Sequence, residues 1–239
     1  MTNFGEAIKR PFTDFVKLLI GALFFMIPFV NLITGLFATG YALNGAKTAM
    51  KKKYAMPEWA DWGKMFVNGL LGGVIYIIYM LPALIIFIIG LISSITLGIG
   101  VSIGTLVNAL VSNDSAAIAN AISGMIGVSG LFLVTFFLAV VLVLIAAYVT
   151  PMAIMAFIAT DKFGEAFNLK AVFGKAFRGN YFVAFLISLL YVIALAVIAG
   201  ILDLILAITI IGPAVVNGFY TFIVTVTLYT IFGEVYAEK

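Results

Sequence analysis

The chain has 239 residues, of which 64% are hydrophobic and 10% charged, with a mean hydropathy of +1.25. Water-soluble domains run at about 45–50% apolar and about 25% charged, so an ordinary soluble fold, a disordered tail and a basic nucleic-acid binder are excluded. Cys, His and Gln are all absent. Their absence removes thiol nucleophiles, disulfides, haem attachment and nearly every zinc, copper or iron–sulfur site.

The ionisable residues leave five uncharged runs, at residues 18–46, 65–113, 115–160, 179–202 and 204–233. Each exceeds the roughly 20 residues that carry a helix across about 30 Å of hydrocarbon. Membrane strands would instead alternate over about 10 residues between polar loops. The expected class is therefore all-α, a polytopic integral membrane helical bundle, with amphipathic helices at the cytoplasmic interface.

In chain order, residues 4–15 form the first amphipathic segment. Phe4, Ile8, Phe12 and Phe15 share one face, and Asn3 and Glu6 have capping-box spacing. Spans follow at residues 12–27 and 32–50 as a hairpin turning at Pro28-Phe29-Val30-Asn31. The first is short, about 24 Å; the alternative is one kinked helix over residues 18–46, since proline is tolerated in membrane helices. A second interfacial segment covers residues 57–69. Pro57 suits a first helical position there, and Trp59, Trp62 and Phe66 lie at helical spacing. The third span is residues 66–92. An outer loop over residues 93–125 is expected to pack as a short amphipathic or partly inserted piece. The fourth span, residues 126–153, leads to a third interfacial segment at 163–177 carrying Phe163, Phe167, Phe173 and Phe177. Spans at 181–210 and 214–231 join at Gly212-Pro213.

Six spans bring both termini to one side, together with all 13 basic residues. Asp114 is the only charge on the other. The positive-inside rule then favours the hairpin and places both termini in the cytoplasm, with the chain in the cell membrane as a multi-pass protein. Lys51-Lys52-Lys53 and the group Lys170, Lys175 and Arg178 read first as topology determinants and second as attractors of anionic lipid. Lys9-Arg10 ahead of an apolar stretch, with Ala38-Thr39-Gly40 as a weak cleavage site, resembles a signal peptide; the expectation is a retained membrane anchor.

A single domain over residues 1–239 is expected. Phe4-Gly5-Glu6-Ala7 recurs as Phe163-Gly164-Glu165-Ala166, and Pro28…Asn31 as Pro213…Asn217. An internal repeat of interfacial helix plus membrane hairpin, near residues 3–50, 57–159 and 162–236, is one reading. The other is that every interfacial helix entering a bilayer has this composition.

Pro57-Glu58-Trp59-Ala60-Asp61-Trp62-Gly63, followed by Phe66-Val67-Asn68-Gly69, resembles the signature segment of an uncharacterised polytopic membrane family, domain of unknown function 4013. Ile27-Pro28-Phe29-Val30-Asn31, Gly40-Tyr41-Ala42 and Phe232-Gly233-Glu234-Val235-Tyr236 are similar to that family as well. The resemblance implies architecture and no activity.

Asp203 stands alone as an ionisable residue deep in a span, about 14 Å below the outer end, where it is expected to face Thr221–Thr225. It reads either as an interhelical hydrogen bond to Thr221 or Thr225 or as a cation- or proton-coupling carboxylate. The charged residues Glu58, Asp61, Asp161 and Glu165 supply no catalytic set without a nucleophile or metal. The expectations are no enzyme, no metal, no cofactor and no nucleic acid. Partners are membrane lipids and a protein of a membrane complex or a second copy. Function reads first as a scaffold, lipid-interacting protein or accessory subunit, and second as a small permease or channel using Asp203.

Overall fold

A computed structural model describes residues 2–100, 103–209 and 211–238. The helices are α1 (Phe4–Lys9), α2 (Phe15–Met26), α3 (Asn31–Ala49), α4 (Trp62–Gly100), α5 (Ile103–Val111), α6 (Ser115–Thr160), α7 (Leu169–Ala176), α8 (Gly179–Leu206) and α9 (Gly212–Ala237). Short 3₁₀ turns occupy Arg10–Phe12 and Phe163–Phe167. No strand occurs among the described residues, so the chain is all-α. Four helices are long and apolar enough to cross a membrane: Trp62–Ile95, Ser115–Thr160, Gly179–Leu206 and Gly212–Ala237. The 12-residue α2 is apolar but about 18 Å long.

The chain divides into two compact units, Met1–Tyr76 with Tyr148–Lys239, and Ile77–Ala147. In the first, α9 is the hub and packs on α2, α3 and α8. Leu18, Ala38, Tyr41, Met65, Phe222 and Val226 form its core. The α2–α3 pair is a hairpin, because Phe29 turns the chain at φ 66° and Thr34 Oγ1 donates to the Phe24 carbonyl at 2.7 Å. One kinked helix over residues 18–46 is thereby replaced by two.

Helices α3 and α4 meet backbone to backbone. A Cβ built on Gly40 would lie 1.8 Å from the Met65 carbonyl oxygen, and one on Gly69 would lie 1.9 Å from that of Leu36. Only glycine fits at either place, and such small-residue contacts let helices associate by close packing where no water is available to drive them together.

The second unit contains the rest of α4 from Ile77, α5, and α6 up to Ala147. Residues 93–125, expected as a loop that packs as a short amphipathic or partly inserted piece, do contain a short helix, α5, but the flanking chain is helical as well. Helix α4 runs on to Gly100, α5 fills Ile103–Val111 and α6 begins at Ser115, with residues 101 and 102 outside the described set. No proline lies between Pro82 and Pro151 to stop a helix. In a segment this apolar, backbone groups are best satisfied within helices. The break that remains is made by Asn113 at φ 52° and by Asp114, whose carboxylate accepts from the backbone of Ala116 and Ala117 at 3.0 Å. The solitary acidic residue of the expected outer side is a helix cap.

The interfacial segments are also shorter than expected. Residues 4–15 are broken by the turn at Arg10–Phe12, and residues 163–177 by Asn168, which caps α7 by accepting from Ala171. Pro57 is not a first helical position. The chain is irregular through residues 53–61, and α4 starts only at Trp62, after Asp61 at φ 58°. The reason is tertiary, since residues 56–59 are held over the core as described below.

Gly40→Ala is expected to destabilise the detergent-solubilised protein by about 1–3 kcal/mol, the usual range for overpacking. Gly73→Ala, whose Cβ meets nothing within 4 Å, is expected to leave the thermal midpoint unchanged or raise it, because helical glycine costs about 0.5–1 kcal/mol against alanine. Equal midpoints for the two variants would contradict the backbone crossing.

Candidate functional site

The two fully buried charged side chains of the first unit, Arg10 and Glu234, lie at one end, where the N-terminal segment, the chain after α3, and the end of α9 come together. Arg10 is fully buried there. Its Nη1 donates to the Gly45 carbonyl at 2.8 Å and to Thr230 Oγ1 at 3.1 Å, and its Nη2 to Thr48 Oγ1 at 2.6 Å and the Ala55 carbonyl at 2.9 Å. One guanidinium thus ties α3, α9 and the connection to α4, as its fixed fork of donors permits. Burial pulls Arg10 down to about 10, with Glu234 among the groups that oppose the fall; at neutral pH it remains a cation.

Glu234 of α9 is equally buried. Its Oε2 accepts from the Asn3 backbone N–H at 2.8 Å and from Lys52 Nζ at 2.9 Å. Its Oε1 is buried without a hydrogen-bond partner among the described residues. Asn3 does cap α1, its side chain accepting from Glu6 N at 3.2 Å, but the return half of the expected capping box is supplied by Glu234. Burial, and the adjoining Glu234 carboxylate, push the Tyr54 phenol well above its ordinary value.

Beside this lies the segment that resembles the family signature. Tyr41 OH donates to the Pro57 carbonyl at 2.8 Å, and the Trp59 ring stacks on Tyr41 with centroids 3.9 Å apart. Trp62 stacks on the other side of the cluster at 5.7 Å from Trp59, and Phe24 and Phe222 pack at 5.4 and 6.2 Å. Lys17 fastens the rim, donating to the Met56 carbonyl at 3.2 Å and to Glu58 at 2.7 Å. Trp59 is therefore packed against the core cluster, partly buried. Gly63 has open space around its Cβ position.

The carboxylates near this end have separate structural partners. Glu58 pairs with Lys17, and Asp161 pairs with Lys47, whose hydrogen bond holds the Asp161 carboxyl below the usual carboxylate range. Asp61 accepts from Lys64 N at 3.4 Å at the start of α4, and Glu165 accepts from Asn168. Among the described residues, no three acidic groups gather as a metal would need.

Asp203 sits elsewhere and differently from the expectation. Helix α8 ends at Leu206, so Asp203 is one turn from the helix end instead of deep within a span. Its Oδ2 accepts from Asn217 Nδ2 at 3.3 Å, and Asn217 also donates to the Pro213 carbonyl at 2.8 Å. The other oxygen, Oδ1, is buried without a partner among the described residues. Thr221 and Thr225 lie one and two turns further along α9. Thr225 Oγ1 donates to the Thr221 carbonyl, and neither hydroxyl bonds Asp203 among the described residues. Near this pair, between α8 and α9, runs an apolar groove of about 250 Å³ that includes Leu202, Val216 and Phe219.

Sequence reasoning missed Arg10 and Glu234. The available signal was two opposite charges bordering apolar runs at the two ends of the chain, with Thr230 one turn before Glu234.

The fold defines an all-helical protein with four helices long and apolar enough to cross a membrane. The family model described as protein of unknown function (DUF4013) matches residues 20–204, and the chain belongs to that family. No curated protein matches the chain, and no solved structure does.

Replacing Arg10 by Ala is expected to destabilise the fold by about 3–5 kcal/mol, the range for breaking a buried ionic group. Arg10→Lys is expected to recover little, since one ammonium cannot serve acceptors on both forks of the guanidinium. Thermal midpoints in detergent measure both; full rescue by lysine would refute the four-acceptor geometry.

Proposed function

We propose that the chain is an integral protein of the cell membrane, with both termini cytoplasmic, acting without chemistry of its own as a scaffold or accessory subunit of a membrane complex. The observation that carries this reading is the contrast between the two kinds of surface. Arg10, Glu234 and the Trp59 cluster knit one end of the first unit into a rigid platform. The long helices meanwhile present exposed Ile, Leu, Val and Phe side chains along their length, a surface suited to lipid and to partner helices.

The contacts among basic segments support a common side for them. Thr2 Oγ1 donates to Glu238 at 3.0 Å, Lys52 reaches Glu234, Lys47 reaches Asp161 and Lys175 reaches the Tyr236 carbonyl. That gathering is what the positive-inside rule predicts for a cytoplasmic face. Extraction in mild detergent followed by native mass measurement tests the reading. A stoichiometric second polypeptide is expected, and a bare 25.6 kDa monomer carrying only lipid and detergent would overturn the accessory role.

A second reading, a small permease, is favoured by one observation: Asp203 has an unpartnered buried oxygen near an apolar groove. Under it, Asp203→Asn abolishes a flux measured in proteoliposomes. A flux that survives the substitution removes this reading.

A further inference from the structure

A cleft of about 450 Å³ lies where α7 meets the end of α9, bordered by Asn168, Lys170, Gly174, Lys175, Arg178 and Tyr236. Gly174 and Lys175 near the end of α7, and Arg178 in the extended turn before α8, border the same space. Lys175 Nζ sits 5.0 Å from the centre of the Tyr236 ring and donates to the carbonyls of Tyr236 and Glu238; Arg178 Nη1 donates to the Glu238 carbonyl at 3.1 Å. The Glu238 carboxylate is drawn off by Asn180 Nδ2 and Thr2 Oγ1, at 2.8 and 3.0 Å. Glu165, the other acidic neighbour, accepts from Asn168.

None of Lys170, Lys175 and Arg178 forms an ion pair among the described residues. An ammonium has three donors and a guanidinium five, so among the described residues one donor of Lys175 and most of those of Arg178 and Lys170 remain for a ligand. Burial and the like charge of Arg178 pull Lys175 below the usual ammonium value. Apolar side chains are exposed at both ends of this short helix: Leu169 is 54% accessible, and Phe177, just past its end, 70%, with Phe173 stacked on Phe177. Helix α8, long and apolar enough to cross a membrane, begins at Gly179, directly after Arg178. Cations in a cleft, apolar groups beside them and a membrane-length helix immediately following are what an anionic lipid requires at the headgroup level.

We propose that this cleft binds the phosphodiester headgroup of an anionic phospholipid, held by Lys175 and Arg178 with Lys170 at the rim, while Leu169 and Phe177 lie against its acyl region. This rests on the membrane reading above and names the lipid chemistry for it. A Cβ on Gly174 meets nothing within 4 Å, so Gly174→Glu places a carboxylate in the cleft without removing any contact of the fold.

The test is retention of added phosphatidylglycerol against phosphatidylcholine by the full chain in detergent, read by native mass spectrometry. The wild type and Gly174→Ala are expected to prefer phosphatidylglycerol, and Gly174→Glu to lose about tenfold in that preference, as expected for reversing one nearby charge. A Lys51→Gln/Lys53→Gln variant, which removes two charges outside the cleft, is expected to keep it. Equal retention of the two lipids by the wild type overturns the proposal. So does an unchanged preference in Gly174→Glu, or an equal loss in the Lys51/Lys53 variant. Inorganic phosphate binding with the same Gly174→Glu sensitivity, without any lipid preference, overturns the lipid assignment in favour of a free anion. Carbonate extraction of native membranes separates the two levels: a chain that stays in the pellet without lipid preference refutes only the cleft, whereas a chain released into the supernatant refutes the membrane reading beneath it.

Discussion

Arg10 organises the polar end of the first unit. A guanidinium removed from water is costly unless its donors are met, and here four acceptors from α3, α9 and the connection to α4 meet both Nη groups, while Nε is buried without a partner among the described residues. Each of those acceptors must therefore be delivered to one point, which fixes the ends of the two helices and the path of the chain after Met50. Glu234 repeats the arrangement with opposite charge, drawing the Asn3 N–H and Lys52 to α9. Helix α9 becomes the hub because it carries Glu234 and also supplies Thr230 to Arg10.

The aromatic cluster depends on that geometry. Once residues 50–56 are held by Arg10 and Lys17, Pro57 falls within reach of Tyr41 and the Trp59 ring lands flat against it. Trp62 can then start α4 close enough for Gly40 and Gly69 to bring two helix backbones into contact. Polar ties set the path, aromatic stacking fills the space above it, and glycine removes the last obstacle to close packing. The order matters because polar and stacking contacts are directional, whereas the apolar surfaces of the long helices are satisfied equally well by lipid.

The long helices were legible from the sequence because hydrocarbon demands length and apolarity, and the uncharged runs provide both. The α2–α3 hairpin was legible from Pro28…Asn31. The start of α4 was not, because Pro57 imitates a helix start and only contacts with Tyr41 and Lys17 keep residues 56–59 irregular. Arg10 reads in the sequence as a basic residue marking a membrane side, since nothing local distinguishes a solvated arginine from one with four distant acceptors. Asp203 is legible as a lone carboxylate, but its partner is Asn217 and not a residue further along α9, because α8 stops at Leu206 and the sequence offers no glycine or proline there to say so. Helices within residues 93–125 were hidden by composition, as glycine and serine among apolar residues signal a loop in water and are tolerated in helices away from it.

The hairpin has a mechanical consequence. Helix α2 is about 18 Å long against about 30 Å of hydrocarbon, and the tip that follows it carries exposed Phe29, Val30, Leu32 and Ile33. The other arm, α3, runs about 28 Å, so it continues past the start of α2 to where Arg10 reaches Gly45 and Thr48. Under the membrane reading proposed above, unequal arms behind an apolar tip would add more cross-sectional area to one leaflet than to the other, and would tie the cost of holding the molecule to the curvature of that leaflet.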